Sequence, residues 1–129
     1  MSKTILSINE IGADALPKVG GKGANLGELT RAGFNVPPGF CVTTDAFDQF
    51  MSGLREDIYA QLDGVSADDL AGAAAVGKAV REQLGSLPLP VDVSAAVVDA
   101  WRAAGVDCAY AVRSSATAED LPSVSFAGQ

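Results

Sequence analysis

An α+β fold, a small sheet with helices around it, is what this sequence predicts, and three observations predict it. Short apolar runs of strand character lie at residues 4–8, 40–43 and 109–113. Between them, apolar residues recur at helical spacing over several longer stretches. Glycine and proline, 14 and six in 129 residues, fall where one period gives way to another. There is no internal repeat, and the length suits one domain or part of one.

Each element has its own signal. Ile5, Leu6 and Ile8 mark the first strand, and residues 12–19 read as a loop closing on Gly20-Gly21. Residues 22–32 turn helical, with Leu26, Leu29 and Ala32 or Gly33 on one face and Gly33 as the C-cap. Pro37-Pro38-Gly39 then forms a rigid turn, because each proline fixes its own φ and disfavours helix in the residue before it.

After the strand at 40–43, Thr44 is suited to N-cap a helix whose apolar stripe is Ala46, Phe47, Phe50 and Met51. Leu54, Ile58 and Leu62 predict a further helix. Ser66, with Asp69 three residues on, predicts the start of the next, faced by Leu70, Ala73, Gly77, Val80 and Leu84. The run 86–90, with Pro88 and Pro90, ends it. A last helix over 92–104 turns Val93, Val97, Ala100, Trp101 and Ala104 inward. Residues 109–113 return as a strand and lead into a polar loop, 114–129. The middle, about 45–105, is thus a helical segment, and the chemistry lies at its flanks.

Composition narrows the functions available. Hydrophobic residues make up 48% of the chain, enough for a core. Sixteen acidic against nine basic residues give a net charge of −7, which disfavours nucleic acid and anionic membrane as partners. A polyanion such as a nucleotide would therefore need a local cradle of amides and a few placed cations. No stretch approaches the roughly 20 apolar residues of a membrane span, and the start lacks a signal peptide's apolar run. Cys41 and Cys108 stand apart without metal-ligand spacing and read as reduced, buried thiols of a cytoplasmic protein. The absence of histidine removes phosphohistidine and histidine acid–base chemistry from what the chain does by itself. No metal ligands are assigned within it.

At the first flank, Gly20, Gly21, Lys22 and Gly23 open a helix, where free amides attract anions and a lysine suits phosphate oxygens. A tight turn with a solvated lysine accounts for the segment equally well. At the second flank Arg113 leaves a strand and is followed by Ser114, Ser115 and Thr117, a composition that can fold donors over phosphates. An ordinary polar loop has the same composition. Glu28 reads as solvated, Glu119 and Asp120 as a solvated pair, and Trp101 as core.

Together, Gly20-Gly21-Lys22-Gly23-Ala24-Asn25-Leu26 with Val36-Pro37-Pro38-Gly39-Phe40, and Ala111-Val112-Arg113-Ser114-Ser115-Ala116-Thr117-Ala118-Glu119-Asp120-Leu121-Pro122 with Ser125-Phe126-Ala127-Gly128-Gln129, resemble the phosphoenolpyruvate/pyruvate-binding family. That family includes phosphoenolpyruvate synthase, pyruvate, phosphate dikinase and rifampicin phosphotransferase. The resemblance implies an ATP-grasp domain, of which residues 1–129 form the first lobe. It implies that Lys22 and Arg113 contact ATP phosphates as the catalytic pair. Gly20, Gly21, Gly23, Ser114, Ser115, Thr117, Ser125, Gly128 and Gln129 would complete the nucleotide site.

In the family, ATP passes its β-phosphate to a histidine on a separate domain, and the histidine delivers it to pyruvate or to the antibiotic. The implied partners are ATP, Mg2+ held by carboxylates outside this chain, the rest of the ATP-grasp domain and a phosphohistidine domain. On this reading the chain is a fragment of a longer enzyme, or else a truncated relative that binds nucleotide without turning it over.

Overall fold

The computed structural model describes residues 3–118 of the chain. Its elements are the strands β1 (Ile5–Ser7) and β2 (Phe40–Val42) and the helices α1 (Leu16–Arg31), α2 (Thr44–Met51), α3 (Arg55–Asp63), α4 (Leu70–Ser86) and α5 (Val91–Ala104). Two 3-10 turns, Ile8–Glu10 and Ala13–Ala15, link β1 to α1. The mixture of helices with a small sheet is α+β.

The chain divides into two units: the described parts of Met1–Phe47 with Val91–Gln129, and Asp48–Pro90. In the first, β1 and β2 pair antiparallel with Ile5 opposite Val42, Leu6 opposite Cys41 and Ser7 opposite Phe40. Ile11, Val19 and Ala24 form the core beside this sheet, with Leu6, Ala15 and Cys41 packed on them, and Ile11 is 0% exposed. α5 lies against β1 and buries Val93. Thr43 is buried yet satisfied: its N–H donates to Thr4 O at 3.0 Å and its hydroxyl to Lys3 O at 2.7 Å. The buried polar groups thereby tie the strand ends together at little net cost.

In the second unit α3 packs on α4, and the Gln61 side-chain amide donates to that of Gln83 at 3.2 Å. Ile58 is its buried residue on α3.

Several expectations are corrected. α1 begins at Leu16, within the stretch read as a loop, because Pro17 is preorganised for a first helical turn. Its buried face is Val19, Gly20, Gly21, Gly23, Ala24 and Gly27, whereas Leu29 is exposed. The small residues win because the helix lies close on its neighbours: a Cβ on Gly27 would stand 2.5 Å from Ile11 O. Thr44 is not the cap of α2. The Thr43 carbonyl accepts from Phe47 N–H at 3.2 Å, and the Thr44 hydroxyl instead donates to Pro17 O at 3.1 Å.

Asp69 replaces Ser66 as the cap of α4, accepting from Gly72 N–H at 2.9 Å through Oδ1. α5 starts at Val91, one residue early. Trp101 is 39% exposed and Phe47 55% exposed, so neither is core. Glu28 is not simply solvated, since its Oε1 accepts from Ala13 N–H at 2.8 Å and so holds the second 3-10 turn to α1. Residues 109–113 form no strand: Val112 is 97% exposed, and β1 pairs only with β2 among the described residues. Apolar alternation alone makes no strand where no neighbouring ladder takes up its amides and carbonyls.

Candidate phosphate-binding turn

α1 is two helices joined at a break. Gly20 takes φ 72° and ψ 177°, a conformation open essentially to glycine, and the helix restarts at Gly21. The restart creates first-turn amides that a helix cannot satisfy internally, and the partial positive charge of a helix start lies there. Lys22, half-buried, is the second residue of this new start.

The segment that docks into the break comes from more than 90 residues later in the chain. The Ser115 hydroxyl donates to Val19 O at 2.7 Å and accepts from Gly23 N–H at 3.3 Å, while Gly21 N–H donates to Ala116 O at 3.1 Å. The fit is close. A Cβ on Gly20 would lie 2.4 Å from Ser115 Oγ and 2.9 Å from the Ala116 backbone. Glycine at position 20 is thus required both for its positive φ and for the approach of a second backbone.

Lys18, on the turn before the break, pairs with Asp45 at 3.1 Å, and with the Thr44 hydroxyl on Pro17 O it ties the start of α2 to the start of α1. Tyr110 donates its hydroxyl to Gly105 O at 2.6 Å and anchors the run before Arg113 to the end of α5.

The residues singled out from the sequence thus meet in part. Gly20, Gly21, Lys22 and Gly23 lie at one helix restart, and Ser115 sits on it. Arg113 and Ser114, both exposed, immediately precede Ser115, and the exposed Thr117 follows Ala116. By backbone dimensions and these hydrogen bonds, the Cα atoms of Lys22 and Arg113 are at most about 16 Å apart. The sequence separates them by 91 positions.

Two features went unseen in the sequence. The Gly21 and Gly23 amides, read as anion donors, are already donating to protein oxygens. Their acceptor and anchor groups include the Val19 and Ala116 carbonyls, which no side-chain pattern could mark. Ser125, Gly128 and Gln129, together with Glu119 and Asp120, lie outside the described residues. Among the described residues no group of three or more Cys, Asp or Glu could hold a metal, and no helix is long and apolar enough to cross a membrane.

Residues 16–129 match the family model described as "Pyruvate phosphate dikinase, AMP/ATP-binding domain". The chain is 45% identical to a rifampicin phosphotransferase of Streptomyces sp. over 98% of its own length and 15% of the relative's. It is 41% identical to a probable phosphoenolpyruvate synthase of Methanothermobacter thermautotrophicus, over 100% of the chain and 20% of the relative. It is 40% identical to phosphoenolpyruvate synthase of Escherichia coli, over 99% and 17%. The chain therefore spans no more than one fifth of the length of these curated relatives.

Proposed function

We propose that this chain, which belongs to the pyruvate phosphate dikinase AMP/ATP-binding domain family, supplies the ATP-binding portion of a phosphoenolpyruvate-synthase-like dikinase. Lys22 and Arg113 are its phosphate-binding cations, and its fold is the first lobe of an ATP-grasp domain. The observation that carries this reading is the docking of Ser115 and Ala116 onto the Gly20 break, which holds the Lys22 and Arg113 backbones within reach of one ligand.

A triphosphate carries charge that only positioned cations and dipoles can offset, and on phosphoryl transfer that charge is redistributed over the transferred group. Lys22 supplies a mobile ammonium and Arg113 a planar fork able to grip two oxygens at once. On this reading Ser114 and Thr117 would contribute beside Arg113. Gly20 and Gly21 serve by shaping the turn. Ser125, Gly128 and Gln129 would close over the phosphates from the following loop. Mg2+ accompanying ATP would be held by carboxylates outside this chain. It would neutralise phosphate charge there.

The phosphoryl group would then pass to a histidine elsewhere, because this chain has none. Pyruvate is the default final acceptor. Rifampicin is the second reading, since the chain is 45% identical to a rifampicin phosphotransferase and 46% identical to a phosphoenolpyruvate synthase.

Isothermal titration of the intact protein with Mg-ATP tests the reading. Saturable binding that Lys22→Ala and Arg113→Ala each weaken by at least about tenfold is expected, the equivalent of one charge-assisted contact. Unaltered affinity in either variant would remove that residue from the site.

A further inference from the structure

We propose that Ser115 is a positioning residue rather than a phosphate ligand: its hydroxyl latches the Arg113 segment onto the helix restart that carries Lys22. The inference rests on the nucleotide-binding reading above and assigns to Ser115 a role different from the one its sequence context implies.

The reasoning is a count of donors. A serine hydroxyl has one proton to give and two lone pairs to receive. At Ser115 the proton goes to Val19 O at 2.7 Å, and a lone pair takes the Gly23 N–H at 3.3 Å. Phosphate oxygens at neutral pH ask almost entirely for donors, so the latched Ser115 hydroxyl has no proton left to offer them. Gly21 N–H is likewise committed, to Ala116 O.

The same contacts do structural work of a specific kind. Val19 lies before the Gly20 break and Gly23 after it, so one hydroxyl spans the break and fixes its angle. That angle sets where the Lys22 side chain departs from the backbone. Ser115 also stands two residues from Arg113, so the latch fixes both cations to one point. Without it, Lys22 and Arg113 would have to be aligned by the ligand itself, and binding would lose the advantage of preorganisation.

The helix restart provides a direct readout. First-turn amides of a helix ordinarily exchange with solvent quickly, because they lack intrahelical acceptors. Here Gly21 and Gly23 are expected to be protected, and that protection depends on the latch.

The test measures amide hydrogen exchange at Gly21 and Gly23, by NMR on the intact protein, alongside Mg-ATP affinity. Ser115→Ala is expected to speed exchange at Gly23 by at least about tenfold, to speed Gly21 less, and to leave Ile58 in the other unit unchanged. It is expected to weaken ATP about tenfold, a loss of the size of one hydrogen bond. Ser115→Thr, which keeps the hydroxyl, should restore both within about threefold on the same scale. Lys22→Ala should weaken ATP while leaving Gly21 and Gly23 exchange unchanged.

A Ser115→Ala protein that binds ATP less well but exchanges Gly23 at the original rate would make Ser115 a direct ligand and overturn the proposal. Faster exchange with unchanged ATP affinity would overturn it equally, by showing that the latch positions nothing. A loss that Ser115→Thr fails to restore would show that the hydroxyl is not the agent. Absence of ATP binding in the unsubstituted protein would refute the nucleotide reading instead, and the exchange data would still report on the latch.

Discussion

Replacing Gly20 with alanine is the change to which this fold should be most sensitive. At φ 72° and ψ 177° an L-residue is strained by roughly 1–3 kcal/mol. The new Cβ would also fall 2.4 Å from Ser115 Oγ and 2.9 Å from the Ala116 backbone, so the docked segment must withdraw. Withdrawal breaks the three hydrogen bonds made by Val19, Gly21 and Gly23. Each contributes about 1 kcal/mol at most, since Ser115 remains largely exposed. Together these amount to a loss of up to about 6 kcal/mol, a large share of a typical domain's 5–15 kcal/mol or so. Gly33→Ala is the control. Gly33 has φ 85°, but a Cβ there meets nothing within 4 Å, so strain alone operates, at roughly 1–2 kcal/mol.

Urea unfolding followed by the single tryptophan, Trp101 on α5, reports the unit that holds both glycines. Gly20→Ala should lower the midpoint at least about twice as far as Gly33→Ala, with little change in slope. Equal shifts would mean that the docking of Ser115 and Ala116 adds nothing to stability, and the account of the turn would fail with it.

Three further outcomes follow from particular contacts. Gly27→Ala should destabilise by about 1–3 kcal/mol although alanine is the better helix former, because its Cβ would meet Ile11 O at 2.5 Å; a stabilised variant in thermal melts would refute the close approach of α1. Lys3 and the Ser7 N–H both donate to Glu10 and hold its carboxyl below the usual carboxylate range. A depressed folded pKa gives stability that is complete above the unfolded value and lost as pH falls through the folded one. The melting-temperature gap between the unsubstituted protein and Glu10→Gln should therefore close as pH falls below the ordinary glutamate range, and a gap independent of pH would contradict this. Burial pushes the Cys41 thiol up, whereas Cys108 is exposed. At about pH 8 iodoacetamide should alkylate Cys108 at least about tenfold faster, and the stability share of protonated Cys41 should be lost only as pH rises past the ordinary thiol range. Equal alkylation rates by mass spectrometry would place Cys41 outside the packed layer.

How much of this was legible in the sequence depends on which physical signal each feature carries. β1 and β2 were readable from Ile5, Leu6 and the run after Pro37-Pro38-Gly39, because short apolar runs between turn residues have few other uses. The helices were readable from their period, although caps slipped by a few residues to Thr43 and Asp69, where the first carbonyl or carboxylate happens to meet an amide. The buried face of α1 was misread. Hydrophobic periodicity weights Leu26 and Leu29, while the close approach of Cys41 selects Gly23 and that of Ile11 selects Gly27. The strand at 109–113 was misread because alternation says nothing about whether a partner ladder is at hand. At the site, Lys22 and Arg113 were legible as residue types, and the resemblance joined them. The means of joining them was not legible, since it consists of backbone carbonyls and one serine hydroxyl that composition assigns to an ordinary loop.

Everything functional here depends on Lys22 and Arg113 acting on one triphosphate. A double-mutant cycle in Mg-ATP affinity, with Lys22→Gln, Arg113→Gln and both together in the intact protein, measures that directly. If the two share a ligand, the combined loss should differ from the sum of the single losses by about 0.5–3 kcal/mol. Strictly additive losses, or a single variant that binds ATP as well as the unsubstituted protein, would contradict it.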